Sequence, residues 1–312
     1  MKKLPIIVGM GGVNAAGRTS GHHAYRRMVH DALPEARMQS TWQDLANRMG
    51  LSAHVSKAVI EQIKAGTCVR RIELFDPSSV QWHQKAVLNS DNADFLVAQS
   101  KTKETCETLH KNTLVMLPET VELAVTSGGG LPSGFDPGAL YKSVHHPRAL
   151  KMTVYGISDA LNSMGVPWDD ILKQIKPDEV AVYAGSALAQ LDGAALKGVF
   201  GQPLLGERIN SKMMALSLAE MPADFINSYV INSVGQTGHN VGACATFLYN
   251  LKQGVEAIKT GAARVVIVGA AEAPLVPEVI EGFKVMSALA TDKALADIDG
   301  LDEVDNRRAC RP

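Results

Sequence analysis

At 312 residues the chain can bury one large core or two medium ones, and 46% hydrophobic against 20% charged residues is the balance of a globular protein. A formal net charge of −1 leaves no global basic field to recruit nucleic acid. Aromatics are only 5% while glycine, alanine and valine are plentiful, which suits helices packed tightly on a sheet.

The opening LPIIVGM, residues 4–10, reads as a buried first strand, a short apolar run ending in glycine. That run is too short for a signal-peptide core or a membrane span, so a cytoplasmic protein without membrane insertion is expected. GGVNAAGRTS then turns the chain into HHAYRRMVHDAL, where Tyr25, Met28, Val29 and Leu33 share a helical side. Residues 34–120 are polar and hold short helices rather than a strong strand. VSKAVIEQIKAG is the clearest, with Val55, Val59 and Ile63 at helical spacing and Gly66 as C-cap. The stretch SKTKETCETLHKN inside it is solvated. The whole region is expected to be a polar, partly helical insertion on a core made by residues 1–33 and 121–312.

TSGGGLPSGFDP is a loop by its glycine and proline content. LKMTVYGISDALNSMGV follows as an amphipathic helix with Leu150, Val154, Ile157, Ala160 and Leu161 on one face. PDEVAVYAGSALAQ gives a buried strand, Val180 to Ala184, closing on Gly185 and Ser186. MPADFINSYVINSVGQ suggests a helix and GHNVGA a short strand. CATFLYNLKQGVEAIKTG is a helix with Leu248, Leu251, Val255 and Ile258 in register, stopping at Gly261, and RVVIVGAAEAP supplies the next buried strand. Strands alternating with helices define an α/β fold around a central sheet.

Cys244 is the residue with most chemistry to offer. It stands in HNVGACATF, after a strand and before a helix, with Gly242 and Ala243 leaving room for a sharp turn. Free amides and the dipole at a helix start favour an anion, and the thiolate is the reactive form of cysteine. The same amides could hold the oxyanion formed when a thiol attacks a thioester. Spacing alone leaves a second reading open, because a free cysteine is often a small buried apolar residue. The other cysteines, Cys68, Cys106 and Cys310, are scattered and form no disulfide framework or zinc spacing.

Rival motifs are weaker. GVNAAGRT, residues 12–19, has the outline of a phosphate-binding loop, but Arg18 stands where the lysine belongs. The pairs His22–His23 and His145–His146 lack carboxylates at metal-ligand spacing, so no metal is expected. His239 is a candidate base near Cys244 in sequence only. Arg26–Arg27, Arg70–Arg71 and Arg307–Arg308 are solvated surface or, for an acidic carrier, a landing point.

GACATF and its helix, followed by RVVIVGAAEAP, GFKVMSALAT and RRACRP, resemble the active-site region of β-ketoacyl-ACP synthases, the thiolase-fold condensing enzymes. LPIIVGMGGVNAAGR, SGFDP and VAVYAGSAL agree in order, so the likeness covers residues 1 to about 30 and about 125 to 312. HHAYRRMV and the long polar insertion are similar to the subgroup that starts fatty-acid chains from acetyl-CoA and malonyl-ACP.

The resemblance implies the N-terminal half of an αβαβα thiolase-like architecture, with a central mixed sheet and helices on both faces. It implies that Cys244 accepts an acyl group from acyl-CoA or acyl-ACP, with its own amide as half of an oxyanion hole, and that decarboxylated malonyl-ACP then attacks. Phe283 would line the acyl pocket and Leu188 would stand near its far end. The expected partners are acyl carrier protein and a second copy in a homodimer. No cofactor is expected, since phosphopantetheine arrives on the carrier. The family's second half, with its HGT and GH motifs, has no counterpart before Pro312, so a portion of a synthase with little condensing activity alone is expected. Two competitors remain: a non-condensing scaffold of the same fold, against which the retained Cys244 argues, and a nucleotide-binding protein using residues 12–19.

Overall fold

The computed structural model describes residues 4–15, 17–22, 26, 30–52, 54–67, 70–71, 123–125, 127–131, 134–205 and 207–300. Two helices, α1 (Glu35–Arg48) and α2 (Lys57–Thr67), come first. They bury Leu45, Ala46, Met49, Val59 and Ile63 against each other, with Val55 packed alongside. Val59 and Ile63 therefore face inward as their spacing predicts, but α2 runs through Gly66 to Thr67 rather than stopping at it. Tyr25, Met28, Val29 and the polar stretch 100–112 lie outside the described residues.

Helix α3 (Arg148–Ser163) follows Pro147 and buries Leu150, Val154 and Ile157, the row set by its 3.6-residue period. The chain then enters β1 (Val180–Gly185), whose six residues are all buried. After α4 (Met221–Ile226) comes β2, only Thr237–Gly238, so the strand ends at the first residue of GHNVGA instead of running through it. Helix α5 (Thr246–Thr260) closes on Gly261, whose φ of 79° is the left-handed C-cap. Strand β3 (Val265–Ala270) and helix α6 (Pro277–Val285) complete the core.

The three strands form a parallel sheet in the order β2-β1-β3. Parallel pairing requires crossovers, and helices on both faces supply them. Alternation along β1 sorts the two layers. Val180, Val182 and Ala184 point to Ile157, Ala223 and Ile226 of α3 and α4, while Ala181 and Tyr183 point to Ala257 of α5. Burying each such valine stabilises the fold by roughly 1.5–3 kcal/mol.

Two expectations need correction. Residues 4–10 form no strand: Leu4, Ile6 and Ile7 are about four-fifths exposed, and no ladder among the described residues includes them. The segment is held to α3 by its backbone instead. The Met10 amide donates to Ser163 Oγ and the Gly12 amide to Asp159 Oδ2, and a Cβ on Gly11 would lie 2.3 Å from the Ala160 nitrogen. That close seat turns the apolar side chains of residues 4–8 outward. The second correction concerns α5. Its inward row is Thr246, Asn250, Gly254 and Ala257, not the predicted Leu248 row, and Leu248 is 61% exposed. Only small residues let this helix sit on β3, where a Cβ on Gly254 would come 2.7 Å from Val268 Cγ1.

Candidate active site

All three strands point the same way, so the segments leaving β1, β2 and β3 emerge at one edge of the sheet. Open parallel sheets place their ligands outside the carboxyl ends of the strands. Leu188 lies in the turn after β1, Cys244 in the turn after β2 and Glu272 just beyond β3.

The Cys244 turn is tightly specified. Residues Ala243–Ala245 form one turn of 3-10 helix that leads into α5. Ala243 has φ 47°, a left-handed conformation that costs a side-chain-bearing residue about 1–3 kcal/mol. Gly242 before it leaves room for the Tyr249 ring, which a Cβ there would displace. Thr246, buried, closes the turn: its Oγ1 accepts the Gly242 amide at 3.1 Å and donates to the Ala243 carbonyl at 2.8 Å. Asn250, one turn further and fully buried, accepts the Asn240 amide at 2.7 Å and donates to the Gly269 carbonyl at 3.2 Å. Cys244 itself is a free, exposed thiol at this elbow. The buried-thiol reading is thereby excluded.

The turn after β1 is its counterpart. Ala189 has φ 60°, and the fully buried Ser186 shares its one hydroxyl proton between the Ala189 carbonyl at 3.0 Å and Glu272 Oε2 at 2.9 Å. Glu272 Oε1 accepts the Ala187 amide at 2.5 Å. Leu188 is half-buried within this turn, and Phe283 is half-buried on α6. Topology brings Leu188 and Cys244 to one edge, while Phe283 sits on the helix that follows β3. Two surface pockets, of about 240 and 500 Å³, share Trp168 and Val230, and the smaller reaches Val180 at the other end of β1. Neither includes Leu188, Cys244 or Phe283 in its wall.

Thr246, Asn250, Ser186 and Glu272 escape a search for apolar periodicity. Thr246, Asn250 and Gly254 recur every four residues, however, and such a polar and small row on one helical face marks a close, hydrogen-bonded contact.

The other sequence candidates have structural explanations. Residues Val13–Asn14 pair antiparallel with Gly17–Arg18, so the described residues of 12–19 form a short hairpin ladder rather than a strand–loop–helix cradle. The amides of Gly12 and Ser20 donate to Asp159, as does Ser20 Oγ at 2.6 Å, and Arg18 approaches the same carboxylate at 3.9 Å. An internal carboxylate thus holds the position a phosphate would need, which overturns the nucleotide-binding reading. His146 lies between the hydroxyls of Tyr141 and Tyr229, each 3.3 Å from a ring nitrogen, and packs edge-on against Phe225. Burial, then Lys212, Lys151 and His145, hold its ring below the usual histidine value. His239 lies against Gly185, where a Cβ would come 3.0 Å from its own, and no hydrogen bond among the described residues joins it to Cys244. Burial and the nearby Glu220 push the Asp224 carboxyl up, with His239 opposing. Cys68, Cys106, Cys310 and Arg307–Arg308 lie outside the described residues.

A parallel sheet with helices on both faces, and an exposed cysteine on a turn at its carboxyl edge, is the arrangement of a thiolase-like α/β protein. Residues 118–301 match the family described as "Beta-ketoacyl synthase, N-terminal domain", and the chain belongs to that family. The β-ketoacyl-[acyl-carrier-protein] synthase FabY of Pseudomonas aeruginosa is 42% identical over 349 aligned residues, which cover all of this chain and 55% of that protein. The crystal structure of the same ketosynthase superposes with a TM-score of 0.82 at 40% identity, over 98% of this chain and 54% of that one. The fatty acid synthase alpha subunit of Saccharomyces cerevisiae is 26% identical over 221 residues, 62% of this chain and 12% of the subunit. A β-ketoacyl synthase from Burkholderia phymatum, 16% identical with a TM-score of 0.52 over 95% of this chain and 52% of its own, shares the fold. The chain spans about half the length of FabY.

Proposed function

We propose that this chain supplies the acyl-accepting centre of a β-ketoacyl-ACP synthase acting in fatty-acid biosynthesis. The observation that carries the reading is the exposed Cys244 thiol on a strained elbow at the start of α5, in a chain of this family. The Cys244 thiolate attacks the carbonyl of an acyl-CoA or acyl-ACP thioester, and the oxyanion collapses to expel the donor thiolate, leaving an acyl-enzyme. Loss of CO2 from malonyl-ACP then gives a carbanion. It forms the new carbon–carbon bond at the acyl carbonyl and returns Cys244 as thiolate.

The carrier partner is supported by the name of FabY, which is an acyl-carrier-protein synthase. The homodimer, the cytoplasmic setting and a chemistry without a resident cofactor belong to the same reading. Among the described residues no helix is long and apolar enough to cross a membrane. Residues 34–120 form an insertion outside the thiolase-like half, a reading supported by the separate hydrophobic cluster of α1 and α2. It is tied to α3 by the 2.6 Å bond from Arg48 Nη1 to the Tyr155 hydroxyl.

Intact mass after incubation with an acetyl thioester tests the proposal in the full-length protein. One acetyl group should add to the native protein and none to Cys244→Ala. Equal labelling of the two, or no labelling of either, sinks the reading.

A further inference from the structure

The two turns flanking the candidate nucleophile share a construction that fold alone does not demand. Each follows a strand of the parallel sheet, and each contains an alanine in the left-handed region, Ala189 at φ 60° and Ala243 at φ 47°. Such strain persists only where the surroundings over-determine it. Each turn is also tied by a polar side chain to the end of β3. Asn250 joins the Asn240 amide, four residues before Cys244, to the Gly269 carbonyl. Glu272, two residues beyond β3, grips the Ala187 amide and the Ser186 hydroxyl, and the Ala271 amide donates to the Gly185 carbonyl at 3.1 Å.

We propose that Asn250 and Glu272 are positioning residues that register the Cys244 elbow and the Leu188 turn on the end of β3, and so set the distance between nucleophile and acyl chain wall. The proposal rests on the reading of Cys244 as acyl acceptor and of Leu188 as part of the acyl site. Asn250 is suited to the task because it is fully buried and uses acceptor and donor on two different segments, so no apolar residue replaces it. Glu272 accepts two bonds from adjacent residues of one turn. A glutamine could hold both groups, with its oxygen on the Ala187 amide and its nitrogen donating to Ser186 Oγ, whose proton then goes to the Ala189 carbonyl alone.

The test uses the full-length protein with acyl thioesters of short and medium chain, read by intact mass beside the alkylation of Cys244 by iodoacetamide. Asn250→Ala should load every acyl group about tenfold more slowly or worse, with alkylation within about twofold of native, because small misplacements cost attack geometry more than access. Asn250→Asp, which keeps the acceptor for Asn240, serves if the alanine variant does not fold, and should fall in between. Glu272→Ala should shift the ratio of medium-chain to short-chain loading by about threefold or more, and Glu272→Gln should restore it. Native loading in the Asn250 variants, or loading that falls in step with alkylation, overturns the proposal, as does an unchanged ratio in Glu272→Ala. If the native protein alkylates but loads no thioester, the acyl-acceptor reading fails and takes this proposal with it. If the native protein loads and the variants match it, only the proposal fails.

Discussion

Two apolar runs of this chain are written almost alike and end differently. LPIIVGM at residues 4–10 and VAVYAG at 180–185 are both short, aliphatic and closed by glycine. The second is buried at every position between two parallel neighbours and two helical layers. The first has Ile6 and Ile7 at 81% exposure and contacts α3 through glycine backbone. An apolar run therefore declares that burial would be favourable, but a strand exists only where backbone partners are free to take its amides and carbonyls.

The sharpest test of this contrast is a charge at the centre of β1. Val182→Asp should unfold the protein or cost at least about 4 kcal/mol, measured by chemical denaturation, since a buried carboxylate there has no partner. Gly254→Leu, which pushes α5 off Val266 and Val268, should cost about 1–3 kcal/mol. An unchanged unfolding midpoint would show that the helix does not seat on the sheet as described.

Only the β1 side of the comparison carries a pH dependence, because residues 4–10 hold no titratable side chain. His146, packed on Phe225 of α4, is held below the ordinary value of 6.5, so the unfolded chain binds its proton more readily than the folded one. The contribution is complete above that value and is lost as pH falls below it. His146→Gln should flatten the slope of stability between about pH 5 and pH 7; an identical slope in both proteins breaks the prediction. The smallest effect belongs to the N-terminal run. Ile7→Gln should change stability by no more than about 0.5 kcal/mol, and a loss comparable to that of Val182→Asp would mean the two runs are equivalent after all.

Much of the fold was legible. The Leu150–Val154–Ile157 row and the Val180–Gly185 strand follow from period because each buries its own apolar face, and the limits of α5 and the β3 strand follow too, although β3 is half-buried rather than buried. The orientation of α5 was not, since its large apolar residues, Phe247, Leu248, Leu251, Val255 and Ile258, outnumber the small ones, Gly254 and Ala257, that let it approach β3. Nor was the fate of residues 12–19. Their glycines suit a phosphate or a buried carboxylate equally, and Asp159 lies 139 positions from Ser20.

By itself the sequence determined that the chain alternates strands and helices, that Cys244 follows a strand-like segment and opens a helix, and that its neighbours resemble those of a condensing enzyme. Periodicity and local turn chemistry carry that much, because they act between residues near in sequence. Only the tertiary structure decided which apolar run became a strand, which face of α5 met the sheet, and that Asn250 and Glu272 fasten both strained turns to β3. Those outcomes depend on hydrogen-bond partners and packing surfaces contributed by distant segments, which no local pattern encodes.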